Sequence, residues 1–239
     1  MKSKIPWLRV MVEGVVIVGS ILLAFGIDAW WEDLGEESAE VELLERLQRD
    51  FTVTRDRYRN VLGDHERGAA AATELLQELV VGEMLPTTRR VDSLVATVTV
   101  NSRTSSPPVG ALNAFFQAPD LVRSRELADL LHDWPRLADE ILEEEREMLR
   151  GVTDRWTPHL ASLGGLNAYM RSGPYHGTNG IVGPPPRERT PIRVDQRFVN
   201  NIEERLMWEQ FAVLEISRAT PTLERILTLL TAELEGIAE

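Results

Sequence analysis

The chain has 239 residues, 43% hydrophobic and 27% charged, with no cysteine and a formal net charge of −12. The carboxylate surplus opposes binding to nucleic acid and to anionic headgroups, and the missing thiols exclude disulfides, thiolate metal sites and cysteine nucleophiles. The absence of cysteine is compatible with an oxidising compartment without identifying one.

The first element is Pro6 to Trp31, reading PWLRVMVEGVVIVGSILLAFGIDAWW. At about 1.5 Å per residue Pro6 to Trp30 extends roughly 37 Å as a helix, enough for a hydrocarbon core of about 30 Å with some tilt. Trp7, Trp30 and Trp31 stand where interfacial aromatics belong. Lys2, Lys4 and Arg9 precede the apolar run and Asp28, Glu32 and Asp33 close it, so residues 1–9 are expected in the cytoplasm and the rest across the membrane. Glu13 interrupts the run, with Arg9 one helical turn before it. The pair reads as a near-interface ion pair, and otherwise as a membrane-embedded carboxylate facing a partner helix. A cleavable signal peptide, with Ala24 and Gly26 at the cut, ranks below an anchor because of Glu13 and the tryptophans.

After Trp31 a helical period takes over. Leu44, Leu47, Phe51, Thr54, Tyr58, Val61, His65, Gly68, Ala72, Leu75 and Leu79 recur at steps of three and four, so the anchor is expected to run directly into this helix, with a bend near His65 where Gly63 and Gly68 weaken it. Val91 to Val98 is read as a short helix. Ser105 and Ser106 before Pro107 and Pro108 predict a capped helix ending at Gln117. Leu127, Leu130, Trp134, Leu137, Ile141, Met148 and Val152 share a stripe passing through Pro135, where a kink or restart is expected. Residues 164–194 are too rich in Gly and Pro for a helix and predict a long loop. Phe198, Ile202, Leu206, Val213 and Ile216 then restore the period, and Thr220 with Pro221 predicts the start of a separate last helix carrying Leu223, Leu227, Leu230 and Leu234. The expected fold is all-α: an N-terminal transmembrane helix (6–31) continuous with a long helix of an elongated helical bundle, the exported domain being 32–239.

Two blocks carry a family resemblance. EGVVIVGSILLAFGIDAWWED, Glu13 to Asp33, and PPVGALNAFFQAPDLVRSRELADLLHDWP, Pro107 to Pro135, resemble the N-terminal and central blocks of a family of bacterial single-pass membrane proteins catalogued only as a domain of unknown function. Ala118 and Pro119 stand where that family often has Ser-Gly. The resemblance implies an anchor and a helical exported domain, without an activity.

Catalytic and metal signatures are absent from the sequence. None of the four histidines has metal-ligand spacing, and there is no nucleophile elbow or phosphate loop, so no enzyme activity, cofactor or metal is expected. Asp139, Glu140, Glu143, Glu144, Glu145 and Glu147 read as a solvated helix face paired with Arg136, Arg146 and Arg150. Tyr169, Arg171, Tyr175, His176, Arg187, Arg189 and Arg193 form a locally basic, partly aromatic loop, the candidate recognition segment. The leading functional expectation is a non-enzymatic interaction or scaffold protein of the bacterial envelope, held in the inner membrane with its bulk in the periplasm. Its expected partners are the membrane, another envelope protein or a second copy, and no nucleic acid. The alternative is a sensory or ligand-binding helical module acting through a membrane partner.

Overall fold

A computed structural model describes residues 7–100, 104–164 and 191–238; within its helices the side chains of residues 7–17, 26, 28–34, 36, 100 and 238 are not described. All regular structure among the described residues is helical. The chain forms α1 (Trp7–Gln77), α2 (Arg89–Val100), α3 (Gly110–Gln117), a 3₁₀ turn (Pro119–Leu121), α4 (Arg125–Arg150), a π turn (Gly151–Trp156), α5 (Thr157–Ser162) and α6 (Gln196–Ala238).

The long helix forms as its period predicts. From Leu44 to Leu75 the stripe residues are buried, and α1 continues without a break through Gly63 and Gly68. Helix α6 runs antiparallel to α1, with Phe198 packed near Leu75 and Leu230 near Leu44, while α4 runs parallel to α1 and packs on α6. Large rings bridge α1 and α4: Trp134 lies 5.3 Å from Phe51 and 5.9 Å from Tyr58 between centroids.

Several boundaries differ from expectation. Ser105 and Ser106 do not cap α3, which starts at Gly110, beyond the two prolines. Asp50 of α1 supplies the missing acceptor, taking the Ala111 N–H at 3.1 Å, so this helix start is satisfied from across the bundle. Neither Pro135 nor Pro221 starts a new helix; both sit inside continuous helices. Each costs one amide, but the apolar residues on either side share a single core face, and keeping that face outweighs the lost bond. The start of α4 is instead set by Ser124, whose hydroxyl accepts from Leu127 N–H, with Glu233 accepting the Arg123 and Ser124 amides. At its other end the helix widens into the π turn just before Pro158, which has no amide for the ladder.

Apolar residues form two cores along the bundle axis. The first gathers Leu44, Phe51, Val61, Phe115, Leu131, Trp134, Ile141, Ile216 and Ile226; the second gathers Leu75, Leu85, Val95, Trp156, Leu160, Ile192, Phe198 and Ile202. The tip beyond the second core is closed by backbone bonds between 82–85 and 192–194, including Leu85 N–H to Ile192 O at 2.8 Å and Val194 N–H to Glu83 O at 2.9 Å. Residues 191–194 of the expected loop thus pack onto the bundle, with Ile192 and Val194 buried.

Among the described residues no helix is long and apolar enough to cross a membrane. The expected transmembrane helix is not supported by that measure.

Candidate functional site

Between the two cores the packing changes from apolar to ionic. Here α1 contributes Tyr58, Asp64 and His65, α4 contributes Glu145, α6 contributes Arg205 and Glu209, and the connection ahead of α3 contributes Ser105; all are buried. His65 lies at the centre. Its Nδ1 is 2.6 Å from Glu209 Oε2, and its Nε2 faces Glu145 Oε1 at 3.8 Å. The other Glu209 oxygen forms an ion pair with Arg205 Nη2 at 2.6 Å, one turn back along α6. Both Glu145 oxygens accept the Ser105 amide, at 2.8 and 3.0 Å, which ties the α2–α3 connection to α4.

A buried carboxylate is tolerated only when paired and hydrogen-bonded; here Glu145 and Glu209 meet His65 and Arg205, while Asp64 pairs with Arg67. Burial drives His65 towards its neutral form, but the carboxylates of Glu145 and Glu209 outweigh it and raise its pKa to about 9. At neutral pH the ring is an imidazolium bound to α6 and facing α4. Burial pushes the Arg205 pKa below its ordinary value, against the pull of Glu209. The Tyr58 phenol is pushed up by burial and then by the Glu145 charge, and its hydroxyl has no hydrogen-bond partner among the described residues. Gly68 completes the arrangement on α1. A Cβ there would meet the Glu209 carboxylate, 2.6 Å from its Cδ, so only glycine lets that side chain reach His65.

The geometry fixes helices to one another through charge. His65, Glu145 and Glu209 are each no more than 1% exposed and Arg205 is 4% exposed, so the groups face one another rather than solvent. Among the described residues no set of three or more His, Asp or Glu side chains is arranged to hold a metal ion.

Sequence reading reached only part of this layer. The α1 stripe included His65 and Gly68, but as members of an apolar face. Glu145 was expected on the solvated acidic ridge and is instead buried, because it lies four residues after Ile141 and three before Met148 on the core face. The rest of the ridge is exposed or half-exposed, with Arg136 bonded to Glu140 and Arg150 to Glu147, both at 2.7 Å. On α6 the buried face is Phe198, Ile202, Arg205, Glu209, Ala212 and Ile216, rotated from the expected stripe, so that Leu206 and Val213 are half-buried at its edge. A signal was present: Arg205 and Glu209 continue the three-and-four step from Ile202 to Ala212.

Of the residues singled out in the sequence, Arg9 and Glu13 lie on the α1 backbone with side chains outside those described, and Tyr169, Arg171, Tyr175, His176, Arg187 and Arg189 lie outside the described residues. Arg193 is exposed at the tip, and its Nε donates to Gly82 O at 3.1 Å. His159 pairs with Asp195 at 3.0 Å, and Asp195 also accepts the Phe198 amide at the start of α6. Burial pushes the Asp195 pKa up, but that amide and His159 outweigh it and hold the carboxyl below its ordinary range.

Comparison with protein-family models, with curated proteins and with solved structures finds no match for the chain. The resemblance to the single-pass family rests on the two quoted blocks alone.

Proposed function

We propose that this chain is a membrane-anchored, non-enzymatic interaction or scaffold protein of the bacterial envelope, with the N-terminal side of its apolar segment in the cytoplasm and its helical bundle on the far side of the inner membrane. The observation that carries this reading is the side-chain exposure at the start of α1. Val18, Ile21, Leu22, Leu23, Phe25 and Ile27 are 46 to 67% exposed and point to every side of the helix. A helix apolar all round requires an apolar surrounding, and no other described residue covers these side chains. Gly14 to Ile27 carries no charge, and the tryptophans and the flanking charge asymmetry fit a bilayer and set its orientation.

The bundle itself supports a scaffold rather than a catalyst. Its apolar stripes close on one another in two cores, and among the described residues a concentrated set of titratable groups is sealed between them. The unbroken α1 holds that bundle on the anchor without a flexible linker.

The natural absence of cysteine makes the test direct. Ser3→Cys and Ser38→Cys flank the apolar segment, and in intact spheroplasts only the second should react with a membrane-impermeant maleimide. Extraction of both variants by alkaline carbonate, or equal labelling of both, would overturn the anchored reading. Photocrosslinking from exposed bundle positions should then give a discrete adduct, with another envelope protein or a second copy; a bundle that forms none in membranes would remove the scaffold half of the proposal.

A further inference from the structure

We propose that the ionic layer of His65, Glu145, Arg205 and Glu209 divides the bundle into two folding units and latches the second core to the first, so that breaking the layer frees the second core's unit while the first stays folded. The argument starts from where the layer sits. On α1 the first core ends at Val61 and the second begins at Ala71; on α4 the first ends at Ile141 and the second takes up at Val152 in the π turn; on α6 the second reaches Ile202 and the first resumes at Ile216. All three long elements therefore cross from one core to the other through the same charged level. Apolar packing is continuous within each core and interrupted between them, so cooperativity across the layer depends on ionic bonds.

The connections match that division. The first core holds α3, the start of α4 and the last half of α6, whereas the second holds α2, α5 and the start of α6. Ser105, tied to Glu145, is the point where the chain returns from the second unit to the first. A change in the layer thus acts on α4, α6 and the return connection together.

The latch depends on a proton. His65 meets Glu145 from α4 and Glu209 from α6; around those carboxylates stand Arg205 on Glu209 and the Ser105 amide and Tyr58 on Glu145, while the neighbouring Asp64 is paired with Arg67. Removing the imidazolium charge leaves two buried carboxylates to a single guanidinium. That excess negative charge in a dry layer is the physical reason for release as pH rises.

Tryptophans report the two units separately, since Trp134 is in the first core and Trp156 in the second, 5.0 Å from the Phe198 ring. The full chain labelled with 5-fluorotryptophan, in detergent micelles, gives one fluorine resonance per site, assigned with Trp134→Phe and Trp156→Phe. In urea at neutral pH, the Trp156 resonance should leave its native position at lower denaturant than that of Trp134. Raising the pH to about 10 without urea should move or broaden Trp156 and leave Trp134 in place. His65→Gln, which removes the imidazolium and leaves both carboxylates in place, should show that change already at neutral pH. Loss of both resonances in a single transition under every condition, or loss of Trp134 first, would overturn the proposal. The wild-type titration decides the matter even if the variant does not fold.

Discussion

Gly68 of α1 and Glu209 of α6 occupy one site from two sides: the glycine leaves the space that the glutamate carboxylate fills on its way to His65. A second glycine one turn earlier has no such neighbour, and a Cβ on Gly63 would meet only Arg67 Nη1, at 3.5 Å.

These two glycines give opposite predictions. Gly63→Ala should stabilise the protein by up to about 1 kcal/mol, since it gains helix propensity in open space. Gly68→Ala gains the same propensity but displaces a carboxylate held by His65 and Arg205, and should destabilise by roughly 1–3 kcal/mol. Urea unfolding of the pair, followed by circular dichroism, measures both signs; equal stabilisation by the two would contradict the packing at Gly68.

Stability should fall on the alkaline side. His65 has a folded-state pKa of about 9 against an ordinary 6.5, so its contribution is fully present below pH 6.5, declines as pH rises, and is gone above about pH 9. The contribution is about 3 kcal/mol. Denaturation midpoints measured from pH 6 to pH 10 should drop over that window in the wild type, whereas His65→Gln should be less stable at pH 6 and nearly flat.

Tyr58 and Trp134 stack, yet they should respond differently to substitution. The Tyr58 hydroxyl is buried beside Glu145 without a hydrogen-bond partner among the described residues, so Tyr58→Phe should be neutral or slightly stabilising, within about 1 kcal/mol. Trp134→Ala removes the ring that fills the space between α1 and α4 and should cost about 3–5 kcal/mol. Thermal unfolding of both variants gives the comparison, and a large loss for Tyr58→Phe would mean that the hydroxyl has a partner after all.

The exposed start of α1 makes a prediction about partitioning. Leu22→Arg places a charge in the middle of the apolar run and should lower membrane insertion by about 2.5–3.5 kcal/mol, seen as a rise in the carbonate-soluble fraction. Leu22→Ile should leave the fraction unchanged. Equal partitioning of both variants would place this segment outside a bilayer.

Helix α1 was legible because 32 residues, Leu44 to Leu75, kept one phase: the three-and-four step names the buried positions, with His65 and Gly68 among them. Helix α2 was legible from its setting despite its β-branched content. Proline misled at Pro221, which reads as the start of a new helix where α6 runs on; at Pro135 the apolar face passes through the proline as expected and α4 does not restart. Local rules price the lost amide without the shared core face that outweighs it. Asp50 misled in another way, because a cap supplied from across the bundle leaves no pattern beside α3.

The sequence alone determined the helical class, the phase of the first long helix and an apolar, positively flanked start, because all three are written in local periodicity and charge order. The tertiary structure alone decided that Glu145, Arg205 and Glu209 turn inward to meet His65. The acidic ridge around Glu145 has the composition of a solvated face, and a carboxylate belongs inside only when its counter-charge arrives from another helix. That arrival depends on α6 running back along α1 in the register that sets Glu209 against Gly68.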